Sequence, residues 1–413
     1  MTFHPKERLG AAASRRQFLQ LSGLAAISGT ALAACGKKRQ RATTGDQVVL
    51  SRPDRPATLP VFNDLQPIAD GLAPEKGGKL KLLNYDEYIG PDVIKAFGEK
   101  YGVTVEVTVF NTQQELAAKL RTPGSSFDVC FPTPDYIGRM VQGKLLRPLN
   151  RSYLSNLGNA WPQLQDPFYD KGSKYSVPYS TYTTGVGYRA DRVSSVPANG
   201  YDLLSDTKYK GGVYILKDAR EALGMEMLRV GFTDVNTEDA NVVKAAGKRL
   251  EELTSAVNVK TGISAYQLVP QGQATIHHCW SGDMINAQYY LPEGQEASTL
   301  GYWYPSNLVG AVGTDCMAIP ASATKPVLAH IFLNYILDND NALANFSYTG
   351  YQPALSIVTP QKMVDDEYVA ENLTSAIVTA EHYAKGVQLL QLSADGDALW
   401  DDTYSKFEAG AGR

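Results

Sequence analysis

From residue 79 onward, short apolar runs alternate with amphipathic stretches. KLKLLN (79–84) begins with alternation and ends apolar, as a strand entering a core does. A polar and aromatic turn follows, and Pro91, in a first helical turn, opens PDVIKAFGEKYG. VTVEVTVF predicts an alternating strand, TQQELAAKLRT a helix, FDVCFP a buried strand, and DYIGRMVQGK a helix starting near Thr133. After a loop-rich stretch, SVPYSTYTTGVGYRA predicts another strand. A second set begins near Tyr188, with strands GGVYILKD, ATIHHCW and TDCMAIP. Its helices are REALGMEMLRVGF, EDANVVKAAGKRLEELTSAV, DMINAQYYLPEG and KPVLAHIFLNYIL. Strands alternating with helices predict an α/β fold with a parallel, helix-covered sheet. The length is too great for one core, so two lobes are expected.

The turn after KLKLLN presents Tyr85, Asp86, Glu87 and Tyr88 at the carboxyl end of a strand, the edge where open α/β sheets bind ligands. Two acids between two tyrosines suit a cation: the carboxylates neutralise it and the ring faces hold its methylenes. Asp218 and Glu221 open the helix after GGVYILK; their spacing puts them on one helix face and is also that of a capping box. Trp280 ends a strand, Asp315 starts one, and Tyr351 lies in TGYQP. His277 and His278, adjacent on a strand, point to opposite faces, which disfavours a shared metal.

The first 41 residues carry eight basic side chains and one acid, leaving a net charge of −11 on the rest. That balance argues against nucleic acid and suits a cationic solute. Ser14-Arg15-Arg16-Gln17-Phe18-Leu19 before a short apolar run resembles a twin-arginine export signal. Leu32-Ala33-Ala34-Cys35 resembles a bacterial lipobox, implying lipidation of Cys35 and anchoring at the outer face of the cytoplasmic membrane or in the periplasm. Residues 1–35 are thus expected to be the signal, and the proline-rich stretch 36–78 an extended tether whose VFNDL part could dock on the domain. Cys130, Cys279 and Cys316 lie in apolar runs and are expected as buried free thiols.

Six ordered segments resemble the periplasmic spermidine/putrescine-binding proteins of ABC importers: NYDEY, FDVCFPTPDYIGRM, SVPY, KYKGGVYILKDARE, CWSG and TDCMAIP. The resemblance runs from about Lys79 to the C-terminus. It implies a two-lobed, periplasmic-binding-protein-like (type II) fold with a hinge between lobes. Residues 79–185 and 313–358 would form the first lobe, and 186–312 and 359–413 the second. By position, it assigns Tyr85, Glu87, Tyr88 and Thr133 to the first-lobe wall, and Asp218, Glu221 and Trp280 to the second. Asp315 falls near the hinge crossing, and Tyr351 completes an aromatic box. The partners implied are a polyamine and a membrane permease driven by a separate ATPase, with the binding protein a monomer.

The chain departs from the family pattern at several of these places. Tyr85 replaces a tryptophan, Asp86 a threonine and Asp135 a tyrosine; Gly313 stands where a stacking tryptophan is expected. A family glutamine has two candidate counterparts, Gln388 and Gln391. These changes favour an amine that is shorter, more polar or more highly charged than spermidine. The sequence contains no nucleophile elbow, phosphate loop or metalloprotease helix. A binding protein rather than an enzyme is therefore expected, with no cofactor and no metal. Another cationic solute or a metal complex is the alternative, with Tyr182, Tyr289 and Tyr290 as tyrosines open to iron.

Overall fold

The structure, a computed structural model, describes residues 50–412. The expected signal with Cys35, and the tether up to residue 49, lie outside the described residues. Among the described residues nine strands form one sheet: β1 (Lys79–Asn84), β2 (Thr104–Val109), β3 (Val129–Cys130), β4 (Ser176–Arg189), β5 (Val213–Leu216), β6 (Lys260–Gly262), β7 (Ile276–Trp280), β8 (Leu300–Trp303) and β9 (Ala311–Ala318). Their order is β2-β1-β3-β9-β4-β7-β5-β6, with β8 beside β4. The longer helices are α1 (Pro91–Tyr101), α2 (Gln113–Arg121), α3 (Pro134–Gln142), α4 (Ala219–Arg229), α5 (Ala240–Ala256), α6 (Ser281–Ala287), α7 (Pro326–Ile336), α8 (Asn339–Thr349) and α9 (Ala394–Gly410).

The expected parallel sheet holds only at the two ends. β1 pairs parallel with β2 and β3, and β5 with β6 and β7. Between them, β4 and β9 run antiparallel to each other and to their neighbours. The departure has a topological cause. A chain that passes from one lobe to the other and returns lays its crossing strands in opposite directions.

The core divides accordingly. Leu80 and Leu82 of β1 face one cluster with Phe97, Met317 and Phe332, while Leu83 faces the other side with Cys130, Cys316 and Ile137. This is the period-two alternation of a strand covered on both faces. β5 and β7 carry a second core with α4, α5 and α9, through Ile215, Ile276, Leu223, Leu250 and Trp400. Their opposite side packs Cys279, Met284 and Tyr302 against Met363 and Leu373. β4 belongs to both lobes: Val177 and Tyr179 lie in the first core and Val186 in the second. Helix α8 lies at the junction, with Ala342 in the first set and Phe346 in the second. Cys130, Cys279 and Cys316 are buried and free.

Residues 50–78 have little regular structure, yet they are docked. Ala57 and Leu59 are buried in the first lobe, and Tyr175 Oη donates to the Pro60 carbonyl at 2.5 Å. The Glu75 carboxylate accepts from the Val327 and Leu328 amides at 3.1 and 2.8 Å, satisfying the N-terminus of α7 from outside the helix. Among the described residues no helix is long and apolar enough to cross a membrane.

Candidate functional site

The first wall is the turn between β1 and α1. Glu87 has φ 51°, a left-handed conformation uncommon outside glycine, asparagine and aspartate. Tyr88 is buried on the cleft side of that turn, whereas Asp86 and Glu87 are exposed at its rim. These two acids still act at a distance: burial and then the Glu87 charge push the Tyr266 phenol up, with Asp283 and Asp86 adding to it. Tyr85 Oη accepts from Gln113 Nε2 at 2.7 Å, and its ring lies 4.3 Å from that of Phe110. Tyr88 Oη donates to Asp315 Oδ2 at 2.7 Å and lies 2.5 Å from Ser180 Oγ, while Tyr179 Oη donates to the Tyr88 carbonyl.

Asp315 is not at the start of its strand, as its sequence context suggested. β9 begins at Ala311, four residues earlier, because the pairing with β4 continues past Gly313 to Ala311. Asp315 and Gly313 therefore share a strand face opposite Ser180 and Tyr182. A Cβ on Gly313 would sit 2.5 to 2.7 Å from atoms of the Tyr182 ring, so that ring already occupies the space next to the glycine. Tyr182 makes edge contacts, centroid to centroid 6.3 Å, with both Trp280 and Tyr351. The space beside position 313 is thus filled by a ring from the neighbouring strand, β4. Burial, with the Asp135 charge adding to it, pushes the Asp315 carboxyl up to about 7 against the lowering effect of the Tyr88 hydrogen bond.

The second wall separates the roles of Asp218 and Glu221. Asp218 Oδ1 accepts from the Glu221 amide at 2.9 Å and is the N-cap of α4. Glu221 turns inward instead and is buried. Its Oε1 accepts from Trp280 Nε1 at 2.9 Å and Thr184 Oγ1 at 3.1 Å, while Oε2 is buried without a partner. Burial, then the charge of Asp218, pushes the Glu221 carboxyl up to about 7.

A third buried acid was not singled out in the sequence. Asp283, in the first turn of α6, accepts from Tyr351 Oη at 2.9 Å through Oδ1, while Oδ2 is buried without a partner. Burial pushes it to about 7 as well. The signal was available: Trp-Ser-Gly-Asp repeats the strand-then-acid-on-a-first-turn arrangement of Asp218 to Glu221. Tyr182 was legible too, since Ser180, Tyr182 and Thr184 alternate along β4, and Ser180 and Thr184 bond to first- and second-wall residues.

Thr133 is the N-cap residue of α3, and Asp135 stands in its first turn. Thr133 Oγ1 has no hydrogen bond of standard length, yet it lies close enough to favour the charged Asp135. Burial raises the Asp135 carboxyl, while Thr133, Arg220 and Arg139 draw it down. Tyr85, Tyr88, Asp135, Glu221, Trp280, Asp315 and Tyr351 thus form one cluster with Tyr182 and Asp283. Gln388 and Gln391 have partners elsewhere. Gln388 accepts from Tyr383 Oη at 3.3 Å, and Gln391 Oε1 lies over Gly138. Tyr289 donates to the Tyr368 carbonyl at 3.3 Å, and Tyr290 packs on Tyr266. Among the described residues, no three His, Cys, Asp or Glu side chains are grouped to hold a metal ion. His277 stacks on Tyr214, and burial lowers it to about 4.

The family described as bacterial extracellular solute-binding protein matches residues 92–371. A spermidine/putrescine-binding periplasmic protein of Salmonella typhimurium is 25% identical over 332 residues, 80% of this chain and 92% of that protein. A putrescine/cadaverine-binding protein of Pseudomonas aeruginosa is 29% identical over 290 residues, 68% of this chain and 80% of that protein. Among solved structures, the substrate-binding protein PotD of a Streptococcus pneumoniae spermidine/putrescine ABC transporter matches with TM-score 0.66 and 24% identity, covering 81% of this chain and 99% of that one. A putative spermidine/putrescine ABC transporter protein from Listeria monocytogenes matches with TM-score 0.69 and 24% identity, covering 80% and 98%. The fold is the two-lobed, type II arrangement of periplasmic binding proteins.

Proposed function

This chain belongs to the bacterial extracellular solute-binding protein family, and we propose that it captures a polyamine of the putrescine–spermidine class between its lobes and delivers it to an ABC permease. The observation that carries this reading is the set of three buried acids, Glu221, Asp283 and Asp315, with no lysine or arginine among the described residues bonded to any of them. Such carboxylates are costly until a cation reaches them. Ammonium groups satisfy them, and Tyr88, Tyr182, Trp280 and Tyr351 provide flat walls for the methylenes between. Asp86 and Glu87 attract the cation at the rim, while Asp218 supports Glu221 from behind. Thr133 and Asp135 border the first wall. The spermidine/putrescine and putrescine/cadaverine relatives favour the same ligand class. The departures at Tyr85, Asp135 and Gly313 favour an amine other than spermidine itself. The protein acts as a monomer, and a separate ATPase drives transport.

Calorimetry with putrescine, cadaverine, spermidine and spermine at pH 6 and pH 8 tests the site and its charge together. In the unliganded protein the three acids titrate near pH 7. A bound cation favours their charged forms, so binding releases protons and tightens as pH rises, by up to about tenfold per pH unit for each acid that ionises. The unliganded fold behaves oppositely. Carboxyl groups raised on folding contribute stability that is complete below about pH 4 and is lost as pH rises through 7. The melting shift caused by the amine should accordingly be larger at pH 8. Affinity that is flat from pH 6 to 8 removes these acids from the site; no binding of any amine removes the ligand class.

The N-terminal motifs extend the reading to twin-arginine export and a lipid on Cys35, which would hold the protein at the outer face of the membrane. Detergent-phase partitioning should be lost in Cys35→Ser, and a variant that still partitions rules out that anchor.

A further inference from the structure

Three successive carbonyls between the lobes each receive an arginine from a different part of the chain. Leu390 accepts from Arg220 Nη1 at 3.0 Å, Gln391 from Arg52 Nη2 at 3.0 Å, and Leu392 from Arg139 Nη2 at 2.7 Å. Arg220 opens α4, which belongs to the second lobe, and its guanidinium lies over the Trp400 ring at 4.6 Å. Arg139 is on α3, whose Ile137, Met140 and Val141 are in the first core. Arg52 precedes Ala57 and Leu59, which fix the docked N-terminal segment to that same first core.

Residues 390–392 themselves belong with the second lobe. Asn236 Oδ1 accepts from the Leu390 amide at 2.7 Å, Leu392 is in the second core, and α9 follows. Arg139 extends the grip into that helix, where its Nη1 pairs with Asp397 Oδ2 at 2.6 Å. Both side chains of the pair are about one-third exposed or less, so water screens it only partly. The approach is close throughout: a Cβ on Gly138 would lie 3.2 Å from Gln391 Oε1. α3 carries Thr133 and Asp135 at its other end, so the same helix borders the ligand site and reaches the second lobe.

We infer that Arg139, joined by Arg52 from the docked N-terminal segment, is a closure latch that holds the second lobe's 391–397 segment against the first lobe and slows ligand release. Neither arginine touches the amine. Each acts on the equilibrium between open and closed lobes, so its removal changes the lifetime of the complex rather than the encounter. The inference rests on the solute-binding reading for its ligand, but the contacts it names are independent of which solute is bound.

The test uses the full chain with Arg139→Ala, Asp397→Ala, Arg52→Ala and the exchange Arg139→Asp with Asp397→Arg. Stopped-flow mixing with putrescine or spermidine, followed by tryptophan fluorescence, separates association from dissociation. Arg139→Ala and Asp397→Ala should each speed dissociation about tenfold and leave association within about twofold. The exchange should restore much of the loss, which a merely structural role for Arg139 would not predict. Arg52→Ala should speed dissociation by a smaller factor. Unchanged dissociation in Arg139→Ala, or single-variant losses that the exchange leaves in full, overturns the latch. If wild type binds no amine, the ligand reading fails, and small-angle scattering of the ligand-free chain decides the latch by itself. A radius of gyration larger in Arg139→Ala than in wild type keeps it, and an identical one overturns it.

Discussion

Glu221→Gln is expected to weaken amine binding about a hundredfold at pH 8 while raising the melting temperature of the unliganded protein. The amide keeps an acceptor for Trp280 and Thr184, both of which bond to the same oxygen, Oε1. What it loses is the charge at Oε2, the buried atom without a partner. Removing one side of a buried, charge-assisted contact with an ammonium costs roughly 2–5 kcal/mol. The same change relieves the unliganded protein of a buried carboxylate that burial pushes to about 7. Loss of affinity with gain of stability is a combination that a damaged fold cannot produce. Calorimetry and thermal melts at pH 8 check it, and an affinity within threefold of wild type would place Glu221 outside the ligand contacts. Asp218→Ala is a poorer probe. Asp218 caps α4, so its loss costs about 1 kcal/mol of stability whether or not it meets the amine.

Gly313→Trp should damage the site even though it introduces the residue that the related pattern has there. The Cβ alone falls 2.5 Å from the Tyr182 ring, and the indole needs the volume that ring fills. Overpacking of this kind costs typically 1–3 kcal/mol. Because Tyr182 also leans on Trp280 and Tyr351, its displacement disturbs both walls. We expect affinity to fall at least about tenfold, since a small misplacement of recognition groups is costly. Adding Tyr182→Ala to Gly313→Trp should return stability and binding toward wild type, because one large ring again occupies the space. If Gly313→Trp melts and binds like wild type, Tyr182 does not fill that space in solution.

Much of the candidate site could be proposed from the sequence because its parts are local strand-to-helix units. The turn after β1, the cap that opens α4 and the tryptophan that ends β7 each require only a few consecutive residues of the right type. Asp283 and Tyr182 left local traces, in the Trp-Ser-Gly-Asp turn and in the alternation along β4, but which way a first-turn acid faces depends on a partner distant in sequence, here Tyr351. Asp86 and Glu87 show the converse. They are adjacent acids in the most suggestive turn, yet both are exposed while the tyrosines beside them line the cluster.

The sequence by itself determined most of the elements, since apolar periodicity, caps and turn residues act over a few positions, while length and the resemblance of six segments pointed to two lobes and to the acids and rings of the candidate site. Only the tertiary structure decided which acids become buried and which ring fills each gap. Tyr88 meets Asp315 across 227 positions and Tyr351 meets Asp283 across 68, pairings set by where the folded chain brings distant elements together rather than by any local pattern. The same holds for residues 50–78. Their prolines announce an extended chain, but Ala57, Leu59 and Glu75 find partners only once the first lobe has formed a surface to receive them. Burial and charge pairing depend on where the folded chain brings distant residues together, and that is why they had to be read from the structure.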